Sequence, residues 1–238
     1  MEQGQETMPE HLSPVREPES PRHGYRGERR PAGQPFLPAG LCVAVSREAG
    51  SRGTSIARRA AEKLGWQLYT QEMLEFMAQD PAARQEVAEN LSPAAAHWVE
   101  EHLERLGEDP GREPIFTDMA RNILALGAAG EVVLIGRGAG CILPRASTLN
   151  VRVLAPLEDR VAYLGQWLGL DSEEAAAQVR LRDARRAQYW QSNFRCDVAE
   201  VYQYDLLVNS THLGEDLSAE LLARAARAKL TALTDADA

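Results

Sequence analysis

VAVSREAGSRGTSIARRAAEKLGW, residues 43–66, runs from a short apolar segment into a Gly- and Ser-rich turn and out through an amphipathic helix. That is the layout of a phosphate-binding loop. In the pattern GxxxxGK[ST], backbone N–H groups wrap phosphate oxygens, a lysine neutralises the outer phosphates, and Ser or Thr helps hold magnesium. The matching window here is EAGSRGTS, residues 48–55. Gly53 and Ser55 fit the pattern, Glu48 stands at the first glycine and Thr54 at the lysine. An ordinary strand-to-helix turn, with glycine for its positive φ and Thr or Ser as caps, would use the same residue types. On the phosphate reading, Gly53 lacks a side chain because backbone must approach a ligand closely.

Outward from this stretch, the apolar runs at residues 41–46, 131–136, 149–155 and 204–210, with a weaker one at 66–69, predict five strands. Helical periodicity separates them. Ile56, Ala60 and Leu64 recur every four residues after the first run, and Met119, Ile123 and Leu126 precede the run at 131. Alternating strands and helices predict an α/β fold: a doubly wound, mostly parallel five-stranded sheet flanked by helices. Ligands in such sheets sit beyond the carboxyl ends of the strands. Residues 71–112 are helical in pattern with no strand among them, and are expected to insert beside the sheet as one wall of a cleft. Residues 172–192 are polar, Ala-rich and Arg-rich, the pattern of a long solvent-facing helix.

Residues 1–39 have few large apolar groups, and their six Glu nearly balance five Arg. Such a segment cannot bury enough surface to offset its ordering entropy, so a disordered tail is expected. The domain is then residues 40–232, with disorder again at 233–238. The net charge of −9 argues against broad nucleic-acid binding. Lys63 and Lys229 are the only lysines among 26 basic residues, so an anion site must be built from guanidinium and backbone N–H groups. Cys42, Cys141 and Cys196 are widely spaced with no CxxC pair, which argues for reduced thiols. No apolar run is long enough for a membrane span and the N-terminus has no signal-peptide core, which leaves a cytoplasmic location. His97, His102 and His212 show no metal-like spacing, and Trp98, Trp167 and Trp190 are expected to be packing residues.

Four blocks carry a resemblance. VSREAGSRGTSIARRAAEKLGW (45–66) resembles the opening of the cytidylate kinase-like family, a nucleoside monophosphate kinase branch of the P-loop NTPases. VVLIGRGAGCILPRASTLNVRVLAPLEDRVAYL (132–164) resembles its central block, RLRDARRAQYW (180–190) its arginine-rich lid helix, and YDLLVNSTHLGEDL (204–217) its last strand and helix. The resemblance implies ATP and Mg2+ as cofactors, a small-molecule nucleotide such as CMP as acceptor, and phosphoryl transfer as the reaction. Carried over, Gly50, Ser51, Arg52, Gly53, Thr54 and Ser55 form the donor-phosphate loop, with Ser55 as the protein group for magnesium. Arg137 faces the acceptor phosphate, with Arg47 beside it. Arg182, Asp183 and Arg186 form the catalytic lid cluster, where the four-residue spacing puts both arginines on one helical face. A nucleotide-binding protein without turnover, or a kinase for another small acceptor, would use the same parts.

Overall fold

Cys42, Val43, Ala44 and Val45 are small or β-branched and almost wholly buried, and they form the central strand β1 (Cys42–Arg47). In this computed structural model residue 38 and residues 40–236, apart from residue 108, are described. The other strands are β2 (Gln67–Tyr69), β3 (Val132–Ile135), β4 (Thr148–Leu154) and β5 (Leu206–Asn209). Their order is β2-β3-β1-β4-β5 and every pairing is parallel. The expected five strands are all present among the described residues. The helices between and after them are α1 (Gly53–Leu64), α2 (Gln71–Gln79), α3 (Pro81–Glu89), α4 (Pro93–Leu106), α5 (Phe116–Ala129), α6 (Ala139–Ile142), α7 (Leu157–Leu168), α8 (Ser172–Phe194) and α9 (Ser210–Ala236).

The two-residue period of the strands divides the core. Val43 and Val45, with Val133, Ile135, Val151 and Val153, pack against Ile56, Ala60 and Leu222 of α1 and α9. Cys42, Ala44, Val132 and Leu134 face the other way, onto Ile123 and Leu124 of α5 and Trp98 of α4. Full burial of one such Ile or Leu side chain contributes about 1.5–3 kcal/mol. On β4 this second face changes character, because Thr148, Asn150 and Arg152 are its buried residues there. The register sets Ala44 opposite Asn150 and Ser46 opposite Arg152. The apolar layer under α5 therefore gives way to a polar floor, and an open cleft begins above it.

α2, α3 and α4 fill the segment expected to be a helical insertion, and α2 and α4 pack on α5. α9 continues to Ala236 where disorder was expected from residue 233. Residues 1–37, 39, 237 and 238, on which the rest of the terminal expectations fall, lie outside the described residues. Trp98 and Trp190 are buried as packing residues, whereas Trp167 is 67% exposed at the cleft mouth, because α7 turns that face outward. Burial pushes the Cys141 thiol up to about 12, with Cys196, 55 positions away in the chain, adding to the rise. Among the described residues no helix is long and apolar enough to cross a membrane.

Candidate active site

At the end of β1 the chain must turn from the sheet centre into α1 within five residues, and the loop spends its own groups to do so. Glu48 reaches β4, where its carboxylate accepts from Ala155 N at 3.1 Å and lies 3.5–3.7 Å from Arg160 and Arg152. The Ser51 hydroxyl is buried and donates to the carbonyls of Glu48 and Val153 at 2.9 and 3.2 Å. Gly50 has φ +79°, and a Cβ there would lie 2.4 Å from the Arg160 carbonyl oxygen. A Cβ on Gly53 would lie 2.5 Å from Cβ of Arg47. Packing against β1 by itself therefore requires glycine at 53.

Arg52, also at positive φ, precedes α1 without a side-chain cap. The first-turn N–H groups of Gly53, Thr54 and Ser55 are consequently left for water or an anion. The Arg52 side chain does not point to the cleft: its guanidinium lies 4.9 Å over the Tyr163 ring and 4.0 Å from Glu215. Thr54 is exposed. The Ser55 hydroxyl donates to Glu215, which a backbone kink at Gly214 in α9 brings against α1. A serine that donates its proton to a carboxylate keeps its oxygen lone pairs for a cation, so Ser55 suits a nucleotide-borne magnesium ion. Among the described residues no cluster of three or more His, Cys, Asp or Glu could hold a metal unaided.

Beyond the carboxyl ends of β1 and β3 lies a cleft of about 1170 Å³. None of residues 48–55 lines it, but Arg47, Arg137, Arg182 and Arg186 all do. Three distant segments converge there. Arg47 ends β1 and donates to Gln71 Oε1 at 3.3 Å. It therefore stands on the α2 side and not over the loop. Gly136, Arg137 and Gly138 all have positive φ, and this turn aims Arg137 inward, 4.7 Å over the Tyr189 ring and paired with Glu75. Arg182 and Arg186 come from α8.

Asp183, between the lid arginines, docks that helix on the loop. It accepts from Ala49 N at 2.8 Å and from Arg186 at 3.2 Å, and it pairs with Arg160. Its carboxylate is thus engaged in holding α8 to the loop in this structure.

Crowding of like charge leaves a signature. Burial, then the neighbouring guanidinium of Arg186, push Arg47 down to about 9; Glu72 opposes them, and Arg137 adds a smaller push in the same direction as Arg186. Burial also lowers Arg186, opposed by Asp183 and reinforced by Arg182. Burial raises the Glu72 carboxyl, but its own backbone N–H, the Thr70 hydroxyl, Arg47 and Arg137 outweigh it and hold the group below its ordinary value. Burial pushes the Tyr189 phenol up to about 12. Burial is the main cause of both arginine shifts, and neighbouring guanidiniums add to it.

Several of these groups were not singled out by sequence reasoning. Arg160 sits in the central block that carries the resemblance, where nothing marks it apart from its neighbours. Glu75 and Gln71 lie in the helical insertion, where no motif marks them. Arg152 reads as one more residue of a buried strand.

The sequence profile of the cytidylate kinase-like family matches residues 42–212. A cytidylate kinase of Ignicoccus hospitalis is 25% identical over 182 residues, covering 76% of this chain and 96% of that protein. A cytidylate kinase of Thermococcus kodakarensis is also 25% identical over 182 residues, covering 76% of this chain and 85% of its own length. The crystal structure of an uncharacterized protein from Eubacterium ventriosum superimposes with a TM-score of 0.64 at 19% identity, covering 79% of this chain and 98% of that one. The family match spans residues 48–55, the Arg137 turn, α8 and β5, and the chain belongs to the cytidylate kinase-like family of nucleotide kinases.

Proposed function

We propose that the protein transfers the γ-phosphoryl group of ATP to a nucleoside monophosphate, CMP or a related pyrimidine nucleotide. The observation that carries this reading is the convergence of Arg47, Arg137, Arg182 and Arg186 on one cleft at the carboxyl end of the sheet. Phosphoryl transfer asks little covalent chemistry of a protein. It asks for alignment and for neutralisation of charge spread over the moving group. The first-turn N–H groups at Gly53 to Ser55 would hold the donor phosphates, together with backbone from Gly50 to Arg52. Arg137 and Arg47 would hold the acceptor phosphate, and Arg182 and Arg186 would close over the phosphoryl group between them. Asp183 would keep the lid arginines in register with the loop. Magnesium, when bound with the nucleotide, supplies further neutralisation of the phosphates, with Ser55 as its protein ligand and Glu215 orienting that hydroxyl.

Thr54 at the lysine position favours a second reading, in which the protein binds nucleotide without turning it over. Coupled turnover with ATP, Mg2+ and each of CMP, UMP, AMP and GMP, run beside equilibrium ATP titration, separates the two. Turnover with a pyrimidine monophosphate supports the kinase. ATP binding with no turnover on any of the four acceptors rejects transfer to these nucleotides, in favour of the second reading or of a kinase for another small acceptor.

A further inference from the structure

The cleft contains carboxylates as well as arginines, and one of them sits where an anion would. Glu75 of α2 pairs with Arg137 Nη2 and accepts from Gln71 Nε2 at 3.0 Å through the same Oε1. Gln71 in turn accepts from Arg47. A single chain of contacts, Arg47–Gln71–Glu75–Arg137–Tyr189, thus joins both arginines assigned to the acceptor phosphate. Arg137 is not fully satisfied by it, because its Nε is buried with no hydrogen-bond partner. A planar guanidinium is best matched by two parallel acceptors, and a phosphate has the oxygens to supply them.

Resting on the reading of Arg137 as the acceptor-phosphate group, we propose that Glu75 is a specificity residue. Its carboxylate occupies the phosphate's place on Arg137 as an internal competitor that a phosphomonoester dianion displaces and a monoanion does not. A monoanion offers Arg137 no more charge than Glu75 already does, and Glu75 is tethered at the site. A dianion offers more charge, and oxygens for both Arg137 and Arg47. Glu75 therefore weakens every anion, and it sets a threshold that only the more highly charged class clears.

The test is calorimetric titration of the full chain with inorganic phosphate at pH 8, and separately with acetate. It compares the wild type with Glu75→Gln, Glu75→Ala and Arg137→Met, each first shown to melt cooperatively. Removing a competitor that occupies most molecules raises apparent affinity by the inverse of the free fraction, so phosphate is expected to bind roughly tenfold tighter to both Glu75 variants. Acetate binding, absent in the wild type, is expected to become measurable, and Arg137→Met is expected to lose phosphate binding. Should both Glu75 variants bind phosphate no tighter than the wild type while Arg137→Met loses it, the competitor is refuted and the Arg137 assignment stands. Phosphate affinity unchanged in Arg137→Met would remove the site reading itself, and this proposal with it.

Discussion

The loop at residues 48–55 and the arginine cleft beside it are made in opposite ways. The loop is one contiguous segment with a motif, and most of its side chains are consumed in holding it. Ser51 bonds the loop's own carbonyl and that of Val153, Glu48 ties β1 to β4, and Ser55 is engaged by Glu215. What it leaves for a ligand is mainly backbone N–H. The cleft has no contiguous motif at all. It takes Arg47 from β1, Arg137 from the turn after β3, and Arg182 and Arg186 from α8, and leaves their charge only partly compensated. In a chain with two lysines, the loop supplies shape and the cleft supplies charge. Asp183, which joins Ala49 N to the lid helix, is the hinge pin between them.

The sharpest way to break this division is at the lid. If Arg186 stabilises charge that develops only in the transition state, Arg186→Ala is expected to lower kcat by roughly two to three orders of magnitude. ATP affinity should move far less. Arg186→Lys should recover only part of the loss, because an ammonium lacks the planar fork. Equal kcat in wild type, Arg186→Ala and Arg186→Lys would take the lid out of the chemistry.

The loop's part is tested by Gly53→Val. Its Cβ would meet Cβ of Arg47 at 2.5 Å, so the substitution overpacks the loop against β1. A loss of about 1–3 kcal/mol in unfolding free energy is expected, read by urea denaturation. An unchanged midpoint accompanied by lost ATP binding would return Gly53 to the ligand-contact role that the motif suggests.

Smaller still is the expected effect of Asp183→Asn. The amide keeps an acceptor for Ala49 N but gives up the charge facing Arg160 and Arg186, a change of about 1 kcal/mol. The informative readout is kinetic, because a misplaced lid should lower kcat more than it raises KM. A shift in KM alone would mean that Asp183 touches substrate and does not position the lid.

The least effect is expected from Thr54→Lys. The side chain is exposed, so stability should stay within about 0.5 kcal/mol. If the cleft already carries the positive charge, ATP affinity should rise by less than roughly tenfold. A much larger gain would show that the loop, and not the cleft, limits phosphate binding.

The strands and their alternation with helices were legible in residues 41–46, 131–136, 149–155 and 204–210 because burial on both faces demands continuous apolar runs. The lid pair at Arg182 and Arg186 was legible for a similar reason, since a four-residue spacing stays on one face of any helix. The roles of loop residues were less so. The motif marks Gly53, yet the neighbour that excludes a side chain there is Arg47, six residues earlier and across the turn. Arg52 lies inside the motif and turns away from the cleft, because a left-handed backbone at that residue directs it toward Tyr163.

What the amino-acid sequence determined by itself was therefore periodic and local: a parallel α/β sheet, a Gly- and Ser-rich turn opening a helix, an arginine-rich helix, and membership of a kinase family. Only the tertiary structure decided which cations meet. Arg47 and Arg137 are 90 positions apart, and Glu75, the carboxylate that pairs with Arg137, comes from an insertion without a motif. Electrostatic interaction depends on separation in space, which the parallel pairing of β1 with β3 and the docking of α2 and α8 impose. Spacing along the chain has no bearing on it, so the charge balance of the cleft exists only once the fold does.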